Sequence, residues 1–248
     1  MADRTRIVFV SDVHLGFKRI DPAERERRFV TFLQSLEEDT KELYMLGDIW
    51  DFWYEYHYVI PKEGIRVTAE LLRLLDLGVK IYAVPGNHDV WYYHFFQEIG
   101  ITVIGQPYFV ELNGRTLCIG HGDNLYGATR GYRLLMWAFH NKVLQWLFST
   151  LHPLIGFKLG TNWSRNNRVE FVRYEWKGEA EPLYTYCANV LKERKVDYFV
   201  FGHFHTAAQQ PLPGGAELFV IKDWIGGGVQ YGELNGPCFE LHSQESRF

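Results

Sequence analysis

The stretch Val79-Lys80-Ile81-Tyr82-Ala83-Val84-Pro85-Gly86-Asn87-His88-Asp89 runs from a mostly apolar segment straight into a glycine, an amide, an imidazole and a carboxylate. The apolar part reads as a strand, and the polar part sits where a strand delivers side chains to a cleft. One such junction is a weak signal, but the chain repeats it four more times. Ile7–Val10 leads into Asp12-Val13-His14, and Leu43–Leu46 into Gly47-Asp48-Ile49-Trp50-Asp51. Leu117–Ile119 leads into Gly120-His121-Gly122-Asp123, and Tyr198–Phe201 into Gly202-His203-Phe204-His205. Five strands that all end in Asp, Asn or His are explained most simply by ends that converge on one site.

Outward from these junctions, helices alternate with the early strands. Phe29, Val30, Phe32, Leu33 and Leu36 recur at helical spacing in a helix from Pro22 to about Glu38, with Arg25 to Arg28 as its solvated face. Ile65 to Leu77 is a second helix stopped by Gly78, and Trp91 to Ile99 a short third one. This alternation is that of parallel βαβ units, so the fold class is α/β. The loop holding Trp50, Phe52, Trp53, Tyr54, Tyr56 and Tyr58 lines the cleft or packs beneath it. Past Gly100 come short strands at Ile101–Ile104, Tyr108–Leu112 and Arg115–Ile119, the last two joined by the hairpin signal Asn113-Gly114. Strands return at Leu218–Ile221 and Pro237–Leu241, and Ser243 to Phe248 reads as a polar tail. No stretch is long enough to be a linker, so residues 1–248 read as a single domain.

Tyr132 to about Val190 reads as a helical insertion. Leu134–Phe139 and Val143–Leu147 are apolar almost all round, unlike an ordinary surface helix. Two readings fit: a helix pair packed inside the domain, or a cap whose apolar surface meets a greasy ligand or a membrane. His140, Lys142 and Pro153 argue against a spanning helix, and no run of about 20 apolar residues exists. The segment from Asn162 to Arg173 carries Arg165, Arg168 and Arg173 beside Ser164, Asn166 and Asn167. It suits phosphate oxygens, though a charged stretch is more often a solvated helix face.

A chain of 248 residues with 47% hydrophobic and 17% aromatic content can bury a large core. A net charge of -4 and a pI near 6.2 give no basic field, so no nucleic-acid partner is expected. Cys118, Cys187 and Cys238 form no CxxC pair and read as buried free thiols, which fits a reducing compartment. The first strand begins within a few residues of Met1, so no secretory signal peptide is expected.

The candidate metal ligands are Asp12, His14, Asp48, Asn87, His121, His203 and His205. Carboxylate, imidazole and amide together suit Mn, Fe or Zn. Seven donors exceed one tetrahedral ion and match two ions that share Asp48. Asp12-x-His14 and His203-x-His205 each skip one residue, so in an extended segment both side chains face one site. Two ions suit in-line displacement at phosphorus and turn a shared water into a nucleophile at neutral pH. His88 falls to the leaving-group oxygen as hydrogen-bond donor or general acid, with Asp51 to orient it. Asp89 reads as a cap for the Trp91 helix. Asp123 is either a support for His121 or a turn residue.

Asp12-x-His14, Gly47-Asp48-x-x-Asp51, Gly86-Asn87-His88-Asp89, His121 and Gly202-His203-x-His205 together resemble the calcineurin-like metallophosphoesterase pattern, in order and across nearly the whole chain. The resemblance implies a four-layer α/β/β/α sandwich with a di-metal site at the strand ends. It implies that Asp12, His14, Asp48 and His205 hold one ion, and Asp48, Asn87, His121 and His203 the other. Asp12-Val13-His14-Leu15-Gly16, His121-Gly122-Asp123-x-Leu125 with Gly131-Tyr132, the apolar insertion and Asn162-Trp163-Ser164-Arg165-x-x-Arg168 further resemble the UDP-2,3-diacylglucosamine pyrophosphatases of lipid A synthesis. That likeness implies two divalent ions, Mn foremost, and cleavage of a lipid-linked nucleotide sugar to lipid phosphate and UMP. It also implies a cytoplasmic protein whose cap holds two acyl chains and touches the inner membrane. By position, Tyr132, Ser164, Asn167 and Arg168 match the family's substrate contacts. Two positions depart: His88 stands where many members have Arg, and Thr129 where members usually have an acidic residue. The alternative activity is a metallophosphoesterase for another phosphodiester or nucleotide. A non-catalytic binding module is disfavoured, because all seven ligands and His88 are present.

Overall fold

The computed structural model describes residues 4–18, 20–36, 39–123, 125–126, 129–166 and 174–244. The first half runs β1 (Arg6–Val10), α1 (Pro22–Gln34), β2 (Thr40–Leu46), α2 (Ile65–Asp76), β3 (Lys80–Val84), α3 (Phe95–Glu98), β4 (Thr102–Val103), β5 (Tyr108–Leu112) and β6 (Arg115–Ile119). Three helices follow, α4 (Arg130–His140), α5 (Lys142–Ser149) and α6 (Pro153–Asn166), and then α7 (Pro182–Glu193). The chain closes with β7 (Tyr198–Phe201), β8 (Ala208–Pro211), β9 (Glu217–Val220), β10 (Val229–Asn235) and β11 (Cys238–Gln244).

These strands form two sheets, ordered β11-β10-β1-β2-β3-β4 and β5-β6-β7-β9-β8. In the first, β1 to β4 are parallel, as crossover helices require, and β10 joins β1 antiparallel with Ile7 opposite Leu234. The apolar runs are continuous because the strands are buried on both faces. Val8 and Val10 of β1 pack with α1 and α2 through Phe29, Leu33, Val67 and Leu71. Ile7 and Phe9 face the other way, onto Leu117, Ile119, Val200 and Phe219 of the second sheet. The far side of that sheet is covered by α7 through Leu183 and Cys187.

Several expectations change. The first helix stops at Gln34, short of Glu38, which lies outside the described residues. Its basic face is solvated only in part: Arg27 is exposed, but Arg25 is 1% exposed, donates to the Phe17 carbonyl and lies over the Phe17 ring. Arg28 donates to the Trp224 carbonyl at 2.8 Å. β8 and β10 are strands without an unbroken apolar run. Ser243 and Gln244 belong to β11 rather than to a tail. Cys238, at the start of that edge strand, is exposed, whereas Cys118 and Cys187 are buried.

The helical stretch divides in two. Helices α4 to α6 are not packed inside the protein: Leu134, Trp146 and Leu154 are 65%, 64% and 72% exposed. Their inner side rests on the aromatic loops after β2 and β3, where Phe139, Phe148 and Phe157 meet Phe52, Tyr54 and Trp91. Tyr54 donates to the Gln145 carbonyl at 2.8 Å and Trp91 Nε1 to the Phe139 carbonyl at 3.0 Å. Residues 182–193, by contrast, belong with the second sheet. No helix among the described residues is long and apolar enough to cross a membrane.

Candidate metal centre

The loops that leave β1, β2, β3, β6 and β7 bring Asp12 and His14, Asp48 and Asp51, Asn87 and His88, His121, and His203 and His205 into one cluster. The local backbone is not extended. Asp12, His14, Asp48, His203 and His205 have φ of 53°, 52°, 54°, 72° and 54°, in the left-handed region. The cost is on the order of 1–3 kcal/mol per residue, and such strain gathers at functional sites. Neighbouring strands hold it in place: Asp12 N donates to Gly47 O at 3.1 Å and His14 N to Asp48 O at 2.9 Å. Gly47, itself at φ 83°, lets the ends approach; a Cβ there would lie 2.8 Å from both Gly86 Cα and His121 Cγ.

The side chains fall into two groups around Asp48. In one, Asp12 Oδ1 lies 3.6 Å from His14 Nε2 and 3.7 Å from His205 Nε2, and the two imidazoles stack at 5.1 Å. In the other, His121 Nε2 lies 3.2 Å from Asn87 Oδ1, and the His121 and His203 rings meet edge-on at 5.1 Å. Asp48 Oδ2 stands between them, 3.7 Å from His14 Nε2 and 3.5 Å from His121 Nε2.

Most of these separations are too long for hydrogen bonds. Donors bound at about 2.0–2.2 Å to one ion lie roughly 3–4 Å from each other, which is the spacing present. Asp12 Oδ1 is buried without a hydrogen-bond partner although two imidazole nitrogens face it. A buried acceptor of this kind is costly unless something cationic satisfies it. Asp12, His14 and His205 have donor atoms within 4.8 Å of one another, as do Asp12, Asp48 and His121. The residues fit a divalent metal site.

Burial pushes the Asp12 carboxyl up. Burial also acts on Asp48, but His121 and His88 outweigh it and hold this carboxyl well below the usual range. Burial would lower His121, yet Asp48 raises it well above the ordinary imidazole. Burial, followed by the charge on His121, pushes His203 down to about 4. In the second group Asp48 and His121 thus stabilise each other's charged forms, while His203 is held neutral.

His88 lies at the edge of the cluster, with Nε2 4.0 Å from Asp48 Oδ2. Its Nδ1 is 3.1 Å from the Asp51 carbonyl oxygen, so the backbone of Asp51 meets the ring more closely than the carboxylate at 4.0 Å. That carboxylate lies 3.6 Å from His14 Nδ1 and accepts the Ser164 hydroxyl at 2.7 Å. Ser164 is thereby fully buried beside Asp51 and does not line the cavity above the cluster. The cavity, about 560 Å³, is bounded by Asp48, Asn87, His88, His203 and His205, with Tyr132, Leu135 and Trp163 on its helical side. Tyr132 donates to Asp123 at 2.7 Å, and Asp123 also accepts from Gln106, so Asp123 anchors the start of α4. Asn167 and Arg168 lie outside the described residues, as do the side chains of Arg165 and Asn166.

Asp89 does not cap a helix at Trp91. The helix begins at Phe95, and the Glu55 carboxylate accepts the N–H groups of Tyr93, His94 and Phe95 at 2.9, 2.7 and 3.1 Å. Asp89 instead accepts from Gly86, Asp48, Ile49 and Trp50 and fixes the turn after β2. Sequence reasoning also missed Asp223, 2% exposed, with Oδ2 3.6 Å from His205 Nδ1. Its signal was a sixth instance of the same junction: β9 runs into Ile221-Lys222-Asp223.

Side chains spaced to share divalent ions rather than protons, at the strand ends of an α/β fold, define a metal-dependent hydrolase. The chain belongs to the calcineurin-like phosphoesterase family, whose model matches residues 5–207. It is similar to a protein of Porphyromonas gingivalis named UDP-2,3-diacylglucosamine hydrolase, at 30% identity covering 98% of each chain. A protein of the same name from Shewanella piezotolerans is 28% identical, covering 88% of this chain and 90% of its own. A dimetal phosphatase from Danio rerio shares the fold, with a TM-score of 0.50 and 12% identity, covering 97% of this chain and 96% of that one.

Proposed function

We propose that the chain hydrolyses the pyrophosphate bond of UDP-2,3-diacylglucosamine to lipid phosphate and UMP, as a lipid A enzyme. The observation that carries this is the cavity: metal-ligand side chains on one side, and Tyr132, Leu135 and Trp163 of α4 and α6 on the other. A pyrophosphate attached to acyl chains matches that pairing of a polar floor with an apolar wall. The near full-length likeness to proteins named for this substrate supports it.

In this reading two divalent ions, Mn foremost, are held by Asp12, His14, Asp48 and His205 and by Asp48, Asn87, His121 and His203. When bound, they act as Lewis acids toward water and the phosphoryl oxygens. The chain's own residues do the rest. His88, with Nδ1 turned to the Asp51 carbonyl, presents Nε2 to the cavity and donates a proton there to the leaving oxygen. Asp51 ties α6 to the site through Ser164 and faces His14 Nδ1. Tyr132 and, beyond the described residues, Asn167 and Arg168 contact substrate. The chain acts as one metallophosphoesterase domain in which α4 to α6 form the cap. Exposed Trp137, Trp146 and Leu154 suit a cap that rests on the inner membrane from the cytoplasmic side.

One observation favours a second substrate class. Thr129 accepts the Tyr132 N–H at 3.2 Å and serves as the N-cap of α4, so no acidic group is supplied at that position. The deciding experiment follows UMP release by Mn-loaded protein from UDP-2,3-diacylglucosamine in detergent, with a soluble aryl phosphodiester in parallel. Efficient UMP release is expected. Turnover of the aryl diester alone would remove the lipid substrate and leave the metal site.

A further inference from the structure

Asp223 divides its carboxylate between two tasks. Oδ1 accepts the N–H of Ile225 at 2.7 Å and of Gly226 at 3.3 Å, which closes the turn after β9. Oδ2 lies 3.6 Å from His205 Nδ1, an ion-pair separation. On the opposite edge of that ring, Nε2 faces Asp12 Oδ1 at 3.7 Å. The intervening residue completes a clamp. Trp224 N donates to the Asp12 carbonyl at 3.1 Å, and its ring is wedged against Phe29 and Phe32 of α1 at 5.1 and 5.4 Å. The turn is thus tied to two members of one ligand group, to Asp12 through the backbone and to His205 through the side chain, and is anchored in the core.

We propose that Asp223 is a positioning residue for metal binding: its carboxylate keeps the proton of His205 on Nδ1, so that the Nε2 lone pair faces the ion shared with Asp12. This deepens the metal reading above and rests on it. An imidazole ligates through one nitrogen only when the other carries the proton, and a carboxylate beside that other nitrogen selects this tautomer. Asp223→Asn is the informative change. The amide oxygen still serves Ile225 and Gly226, so the turn is retained. The amide NH₂ then points at Nδ1, draws the proton to Nε2, and blocks ligation there.

The test uses the purified full chain, stripped of metal and titrated with Mn²⁺, with binding followed by calorimetry and the Mn spectrum by electron paramagnetic resonance. Wild-type protein should bind two ions and show a spin-coupled pair. Asp223→Asn should keep one ion at its original affinity, weaken the other about 10–100-fold and lose the coupled signal at concentrations that saturate the wild type. In His205→Ala, adding Asp223→Asn should weaken binding no further, because both changes remove the same ligand. Two ions bound by Asp223→Asn at wild-type affinity with the coupled spectrum would overturn the proposal alone. So would loss of a cooperative thermal transition in metal-free Asp223→Asn, since the residue would then hold the fold rather than the histidine. Failure of the wild type to bind two ions would overturn the metal reading itself.

Discussion

The Asp89 carboxylate accepts the backbone N–H of Asp48 at 3.0 Å. The same buried group takes the N–H of Ile49 at 2.8 Å, of Trp50 at 3.2 Å and of Gly86 at 2.8 Å, and the Tyr92 hydroxyl. One side chain after β3 therefore fixes the turn after β2 and, with it, the left-handed backbone of Asp48.

Asp89→Asn should accordingly harm the fold and the metal site together. The amide turns one acceptor oxygen into a donor that confronts backbone N–H groups, and each buried donor left unmatched costs about 1–3 kcal/mol. Thermal melting of the metal-free variant should show a stability loss on the order of 3 kcal/mol, with lower Mn content after loading. A wild-type melting temperature and full occupancy would mean that the Asp89 contacts do not fix this turn.

A methyl group at Gly202 should act on the metal more than on the fold. Its Cβ would overlap Ser11 Oγ and Asp12 Oδ2, and the His203 N–H that follows donates to the same Asp12 oxygen at 2.8 Å. Overpacking of this kind costs about 1–3 kcal/mol. Gly202→Ala should fold, bind Mn weakly and lose turnover by at least about tenfold through displacement of Asp12. Metal binding equal to wild type would show that the neighbouring atoms move aside.

The cluster was legible in the sequence because each candidate ligand follows an apolar run, and β1, β2, β3, β6 and β7 all deliver their ends to one place. What stayed hidden was set by tertiary contact. β10 alternates Val229, Gln230, Tyr231 and Gly232, with no aliphatic run to mark it. It is a strand because it completes the edge of β1, and Gly232 is small because the Phe239 ring lies against it. Arg25 reads as solvent-facing until the Phe17 carbonyl is seen above it. Asp89 reads as a local cap, yet it accepts from backbone about 40 residues away, and the cap of α3 comes from Glu55, as distant in the chain. The left-handed backbone of the candidate ligands leaves only a weak mark on residue type: Asp and His are enriched in that region, but Asp12 and His14 also suit an extended segment.

The cysteines give a test of the packing that does not involve the site. Burial pushes the Cys118 thiol up to about 12 and moves the Cys187 thiol in the same direction, while Cys238 is exposed. A raised thiol pKa leaves less thiolate at any given pH, and only the thiolate is nucleophilic. Native protein at pH 8 should therefore take up one equivalent of a thiol reagent, on Cys238, and all three only after denaturation. Rapid labelling of Cys118 in native protein would contradict its packing between the second sheet and α7.

His88→Ala separates proton transfer from metal binding. The ring borders the cavity, but its Nε2 is 4.0 Å from Asp48 Oδ2, more distant than the nitrogens of His14 and His121 at 3.7 and 3.5 Å. Removing it takes away a donor to the leaving oxygen and leaves the seven proposed ligands in place. General acid catalysis contributes roughly 10²–10⁴-fold, so kcat should fall within that range while Mn stoichiometry is unchanged. The loss should be smallest for substrates whose leaving group departs without a proton, such as a nitrophenyl diester. If that activated diester slows as much as the lipid substrate, His88 is not the proton donor. If Mn content falls in step with turnover, the ring belongs among the ligands.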